Sequence, residues 1–212
     1  MNKEEFIEEL EKLGITPTPR QLEQLEKYYE LLVEWNNKIN LTRIIEKEDV
    51  YLKHFYDSLT ISKVVDLNKY STLLDFGTGA GFPGIVLKIM YPELEITLVD
   101  SLNKRIIFLN EVIKELKLEK ITAKHERVEN LDKKHYDIVT TRAVANLEKL
   151  IVYTKDLIDD TTLFIPLKAN VDEEITSAQK ELNKNKLEIL KREEFYLPKE
   201  NSLRNILVIC KK

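Results

Sequence analysis

The chain has 212 residues, 43% hydrophobic and 33% charged, with a net charge of −4. That is enough apolar material for one domain with its own core, and no apolar run approaches the length of a membrane span. A single cysteine, Cys210, excludes an internal disulfide and a cysteine-based metal cluster, and three histidines make a poor zinc set, so no metal is expected.

The start, "MNKEEFIEELEKLG", is acidic and amphipathic, unlike a signal or transit peptide. A cytoplasmic protein is expected. Charge is uneven: residues 1–34 carry four cations and nine glutamates, net −5, which leaves +1 for the remainder. A basic face on that remainder is compatible with these numbers and not required by them.

Phe6, Leu10 and Leu13 share one side of a helix over residues 3–13. "TPTP" breaks it, and Thr18 then suits an N-cap with Pro19 at the first helical position. The next helix runs to about Lys38, with Leu22, Leu25, Tyr28, Leu32, Trp35 and Ile39 at helical spacing. Tyr28, Tyr29 and Trp35 are expected in the core rather than as base-stacking platforms. A third helix is predicted over 47–64, containing "HFYDSL". Residues 1–65 thus form a helical extension packed on a domain of residues 66–212.

From Thr72 the pattern changes. "TLLDF" is a short apolar run ended by glycine, as in a buried parallel strand. A helix from Pro83 to Met90, the strand "EITLVD", the helix "LNKRIIFLNEVIKELKL" and the strands "KITAKH" and "YDIVTTRA" follow. Next come a helix near 146–158, the strand "TTLFIPLK", a helix over 171–185 and two final strands, with Cys210 in the core of the last. Alternating strands and helices predict an α/β fold with a doubly wound, mostly parallel sheet. The last two strands have no helix between them and should form an antiparallel hairpin at the sheet edge.

The stretch "LLDFGTGAGFPGIVL" places four glycines between a strand and a helix. In such sheets ligands bind beyond the carboxyl ends of the strands. The helix start suits a carboxylate. Asp100, closing the second strand, suits a ribose, with capping of the following helix as its structural alternative. An adenosine-bearing cofactor is the working reading. For a dinucleotide the register would be Gly77, Gly79 and a third glycine, where Phe82 stands. Asp75 before the turn would repel a pyrophosphate and suits the ammonium and sulfonium of S-adenosylmethionine.

At these residues the chain resembles the RsmG family, also called GidB, of bacterial 16S rRNA guanine-N7 methyltransferases. "LLDFGTGAGFPGIVL", "LVDSLNKRIIFLNEVIKELKL", "ERVE", "TRA" and "HFYDSL" carry the resemblance, densely from about Asn40 to Lys168. It implies a class I methyltransferase sheet with an N-terminal helical extension. It also implies S-adenosyl-L-methionine as cofactor and, as substrate, the guanosine called position 527 in the 530 loop of 16S rRNA within the small ribosomal subunit. Cofactor contacts carried over are Gly77, Gly79, Phe82, Asp100, Val128, Glu129 and Arg142. Arg142 would hold the cofactor carboxylate or an RNA phosphate through its planar fork, with an ion pair to Asp75 or Glu129 as the structural alternative.

His54 and Asp57, one helical turn apart, would border the active site, or His54 packs as a core residue. Asn40, Lys104, Arg105, Lys168 and Arg204 are candidate RNA contacts or solvated surface.

Guanine N7 has a lone pair and no proton, so its methylation needs no base. No catalytic side chain is assigned with certainty; Arg142 is the candidate. Catalysis would rest on in-line positioning at about 3–3.5 Å, which can supply roughly 7–11 kcal/mol. N7 lies in the major groove, too deep and narrow in A-form RNA, so the target must be a loop or a flipped base. A monomer acting on the assembled particle is expected, since a near-neutral body binds naked RNA poorly. Two competing readings are an NAD-dependent oxidoreductase, disfavoured by Phe82 and the terminal hairpin, and a non-catalytic ribosome-binding module.

Overall fold

A computed structural model describes all residues, Met1–Lys212. Helices α1 (Lys3–Lys12) and α2 (Pro19–Ile39) open the chain. Thr18 caps α2 in a reciprocal box: its hydroxyl accepts from the Gln21 amide at 3.3 Å, and the Gln21 side chain accepts from the Thr18 amide at 2.8 Å. Gln21 Nε2 also donates to the Ile89 carbonyl at 2.9 Å, so the cap ties α2 to the body of the protein.

The third helical segment is not one regular helix. α3 (Lys47–Val50) runs into a π-helical turn, Tyr51–Tyr56, then α4 (Asp57–Leu59) and a 3₁₀ turn, Thr60–Lys63. Tyr51, Leu52, Phe55 and Tyr56 are all buried, so this segment is apolar on most of its circumference.

The sheet follows: β1 (Thr72–Phe76), α5 (Gly84–Met90), β2 (Glu95–Asp100), α6 (Asn103–Glu115), β3 (Ile121–His125), β4 (Ile138–Arg142), α7 (Leu147–Thr154), β5 (Leu163–Lys168), α8 (Asp172–Lys184), β6 (Leu187–Tyr196) and β7 (Leu203–Lys211). Strand order is β3-β2-β1-β4-β5-β7-β6. Strands β1 to β5 pair in parallel, and β7 lies antiparallel between β5 and β6. The order reverses between β1 and β4, where a ligand crevice is expected. Helix α5 begins at Gly84, one residue later than the sequence suggests, because Pro83 occupies the N-cap position.

One core of 39 buried residues runs from Phe6 and Leu10 through Tyr28 and Phe55 to Phe82, Ile85 and Leu109. The N-terminal helices therefore share one core with that face of the sheet. A second cluster of 18, including Phe76, Val139, Leu150 and Phe164, fills the other face. Tyr28 is fully buried, and Tyr29 and Trp35 pack against the first cluster from its margin. Cys210 is only half-buried, since β7 leaves the core near its end. No helix is long and apolar enough to cross a membrane.

Candidate active site

The glycine turn after β1 is built by contact distances as much as by flexibility. Gly77 has φ +63°, and a Cβ there would lie 2.3 Å from Val144 Cγ2. At Gly84 a Cβ would meet Leu98 Cδ2 at 2.2 Å and Asp75 Oδ2 at 2.8 Å, so the close helix–strand approach falls there. Gly79, by contrast, faces open space. Tyr28 of α2 donates its hydroxyl to the Ala80 carbonyl and pins the turn from below.

Asp75 departs from the sequence expectation. It is fully buried, and its Oδ2 accepts from Thr78 Oγ1 at 2.6 Å and from the Gly84 amide at 2.8 Å. Its Oδ1 is the one buried side-chain atom without a partner. Burial raises its pKa to about 7. Asp75 shapes the turn and does not open to a ligand.

A cavity of about 250 Å³ lies beyond the ends of β1 and β2, bordered by Gly77, Asp100, Val128, Glu129, Val144 and Tyr153. Asp100 is 2% exposed; it accepts from the Gly79 amide at 2.9 Å, the Leu102 amide at 2.9 Å and Arg105 Nη1 at 3.1 Å. Leu102, not Asp100, is the N-cap of α6. Arg105 Nη1 spans both carboxylate oxygens, at 3.4 Å to Oδ1 and 3.1 Å to Oδ2, which fills a carboxylate's roughly four acceptor sites; Arg105 is a third exposed, so hydroxyl donors would enter by displacing it. Apolar Val99 and Val128 flank this acid, and the 3₁₀ turn Val128–Asn130 offers backbone groups. An adenosine fits such a donor and acceptor set.

A larger cavity, about 590 Å³, opens beyond β4 and β5. His54, Asp57, Arg142, Lys168, Glu174 and Arg204 line it. The two cavities lie to either side of the end of β4, where Ala143 borders the larger and the next residue, Val144, the smaller. With Lys53 included, four cations face two carboxylates, which suits an anionic ligand.

The side chains here are cross-tied. Arg142 Nη1 donates to Asp57 Oδ2 at 3.0 Å and to the Lys53 carbonyl at 2.8 Å. Its Nη2 lies 3.1 Å from His54 Nδ1. Arginine only donates, so Nδ1 accepts, and Nε2–H is left to donate to Thr42 Oγ1 at 3.1 Å. Burial, and then the Arg142 charge, push the His54 pKa down to about 3. His54 also stacks on Phe82, with ring centroids 4.4 Å apart, and Arg142 lies 5.3 Å over the same ring.

The structure brings Gly77, Asp100, Val128 and Glu129 together at the smaller cavity, and His54, Asp57, Arg142, Lys168 and Arg204 at the larger. Arg142 pairs with Asp57, not with Asp75 or Glu129, because the π-helical turn carries Asp57 over the end of β4. Phe82 is 5% exposed and sits beneath the site as a platform for His54 and Arg142. Arg105 is engaged by Asp100, while Lys104 is exposed beside it. Asn40 ends α2 in a left-handed conformation, φ 49°, and lines neither cavity.

Sequence reasoning missed Val144, Tyr153, Thr42 and Glu174. Val144 directly follows the "TRA" segment and was findable from it. Glu174 looks like an ordinary acid in the first turn of a helix, and only the fold brings it to Lys168, 2.7 Å away.

The strand order and crevice are those of a class I methyltransferase. The ribosomal protein L11 methylase of Lactobacillus delbrueckii subsp. bulgaricus shares the fold at TM-score 0.58 and 15% identity, covering 79% of this chain and 80% of that one. The Bacillus subtilis tRNA methyltransferase TrmK does so at TM-score 0.59 and 12% identity, covering 76% and 68%.

Residues 21–203 match the family described as rRNA small subunit methyltransferase G. The proteins named ribosomal RNA small subunit methyltransferase G in Bacillus pumilus and Bacillus subtilis are 49% and 48% identical, each over 100% of this chain and 91% of the relative. The chain belongs to this family, GidB, and is a methyltransferase.

Proposed function

We propose that this enzyme methylates N7 of a guanosine in the 530 loop of 16S rRNA, position 527, with S-adenosylmethionine as cofactor. The family match across residues 21–203 carries this reading, together with relatives named for small-subunit ribosomal RNA. Bound, the cofactor would supply an electrophilic methyl for the N7 lone pair, and the products of such a transfer would be a cationic purine and a neutral thioether.

The chain's own residues bind and orient. Asp100 takes the ribose hydroxyls, while Val128 and Glu129 border the adenine. Gly77 and Gly79 let the backbone approach closely. The larger cavity takes the target nucleotide, with Arg142 and Arg204 facing its negative charge. His54 has both ring nitrogens engaged and Asp57 both oxygens. Neither is placed as a free base, and N7 asks for none. Residues 1–65 serve as one wall of the cavity through His54 and Asp57, and Lys104 and Asn40 remain candidate contacts to RNA beyond the target nucleotide. The enzyme works in the cytoplasm as a monomer on the assembled small subunit.

The experiment uses labelled S-adenosylmethionine and small subunits from cells lacking this protein. A single N7-methylguanosine at the expected position supports the reading. Label at another base, or none despite bound cofactor, overturns it. Equal turnover on deproteinised rRNA would remove the preference for the assembled particle.

A further inference from the structure

We propose that Lys168 and Glu174 together select guanine, with the Lys168 ammonium donating to O6 and the Glu174 carboxylate accepting from N1–H and the 2-amino group. This rests on the larger cavity being the guanosine site.

Lys168 is the last residue of β5, and its side chain is only 8% exposed. Its ammonium donates to the Ala145 carbonyl at 2.7 Å and forms an ion pair with Glu174 Oε2 at 2.7 Å. An ammonium has three N–H groups, so these two contacts leave a donor to spare. Glu174 Oε2 also accepts from the Leu147 amide at 2.7 Å, while Oε1 receives nothing. Both residues border the larger cavity. Each is anchored to backbone on one side; Lys168 keeps a donor in hand, and Glu174 keeps Oε1, whose two lone pairs can take two donors. The pair offers a fixed donor beside a fixed acceptor.

Guanine presents the complementary edge, an acceptor at O6 beside a donor at N1. Adenine presents the reverse. Its amino group would face the ammonium and its N1 lone pair the carboxylate, leaving buried charge without partners. Only purines carry N7, so guanine against adenine is the discrimination this reaction needs.

Asn170 also lines the cavity and carries a donor beside an acceptor, but it is exposed and no hydrogen bond fixes its amide. Asp57 has both oxygens taken, by Arg142 and Arg204, each at 3.0 Å. Arginines provide donors only. The Lys168–Glu174 arrangement also suits the reaction: as N7 is alkylated the ring becomes positive and N1–H a stronger donor. A carboxylate there binds the transition state more tightly than the ground state.

Glu174 and Lys168 also hold backbone groups, so a loss of rate alone would not separate recognition from folding. The readout is therefore base selectivity. Small subunits carrying guanosine or adenosine at the target position are methylated with labelled cofactor, and the ratio of kcat/KM values is taken. The wild type should favour guanosine by about 10⁴-fold, the scale for a site built to hydrogen-bond its substrate. In Glu174→Gln and Lys168→Met the ratio should fall at least tenfold. An unchanged ratio in both variants, whatever their absolute rates, overturns the inference.

Where a variant turns over too slowly, the same preference is read by NMR titration of the cofactor-loaded protein with GMP and AMP. Wild type should prefer GMP and the variants should not; equal discrimination in all three overturns the inference. A wild type that methylates neither subunit and prefers neither nucleotide overturns the guanosine reading itself.

Discussion

Asp57 is held between two guanidinium groups, with Oδ2 3.0 Å from Arg142 Nη1 and Oδ1 3.0 Å from Arg204 Nε. Arg142 comes from the end of β4 and Arg204 from β7, so one carboxylate ties the N-terminal helices to two strands. Asp57 is 5% exposed. Asp57→Ala leaves two neighbouring cations without their counter-charge. Breaking such a pair typically costs about 3–5 kcal/mol, which a shift in the urea midpoint would register. Misplacing Arg142 should lower methyl transfer by about 10²-fold. Cofactor affinity by calorimetry should stay within about threefold, since the adenosine cavity lies on the other side of the β4 end.

Much of this architecture is written in local pattern. The apolar runs "TLLDF" and "EITLVD" are β1 and β2 at the expected residues, because strands buried on both faces need continuous apolar sequence. Thr18 with Gln21 is a capping box, a short-range chemical signal. The turn and Asp100 are equally local. What pattern does not carry is long-range pairing. Arg142 and Asp57 are 85 residues apart, and nothing in either neighbourhood names the other. Nor does spacing reveal the π-helical turn at Tyr51–Tyr56: when most side chains of a segment are apolar, its period is uninformative. Asp75 was misread for a related reason. An acid before a glycine turn has the right charge for a cationic ligand, but the Gly84 amide and Thr78 hydroxyl claim it first.

Asp75 gives a pH prediction with a definite sign. Its pKa rises from 3.8 to about 7 because burial disfavours the charged form. The folded state therefore binds a proton more readily than the unfolded chain. The stability from this group is fully present below 3.8, is lost as pH rises to about 7, and is flat above that. Asp75→Asn keeps an oxygen for Thr78 and Gly84 and cannot ionise. Urea denaturation at pH 5 and pH 8 should show the variant gaining on the wild type at the higher pH. A constant difference between the two proteins would contradict this.

His54 acts in the opposite sense. Its pKa is pushed down from 6.5 to about 3, chiefly by burial. Stability from its neutral form is present above 6.5 and is lost as pH falls toward 3. His54→Phe keeps a ring on Phe82 and removes the acceptor for Arg142, so this acid loss should disappear in the variant. The rate of methyl transfer between pH 5 and 8 should show no inflection from His54 in the wild type. An inflection near 6.5 that His54→Phe abolishes would mean that the imidazole ionises in the working enzyme.

Gly77 and Val144 supply a test by repair. A Cβ at Gly77 would lie 2.3 Å from Val144 Cγ2, at a φ of +63°. Gly77→Ala thus meets a clash and a left-handed backbone, the latter costing about 1–2 kcal/mol. Binding of S-adenosylmethionine, measured by calorimetry, should weaken by more than tenfold. Val144→Ala removes the clashing methyl but not the backbone cost, so the double variant should regain part of the affinity. Gly79→Ala meets nothing in the protein closer than the Gly77 carbonyl at 4.0 Å, so beyond what its φ of +61° costs, any loss of affinity comes from the cofactor that the proposed function sets against it. A loss of affinity at Gly79 as large as at Gly77, with a stability change no larger than the backbone cost, would therefore map the cofactor against Gly79. No recovery in the Gly77→Ala, Val144→Ala double variant would show that the tight contact is not what makes Gly77 necessary.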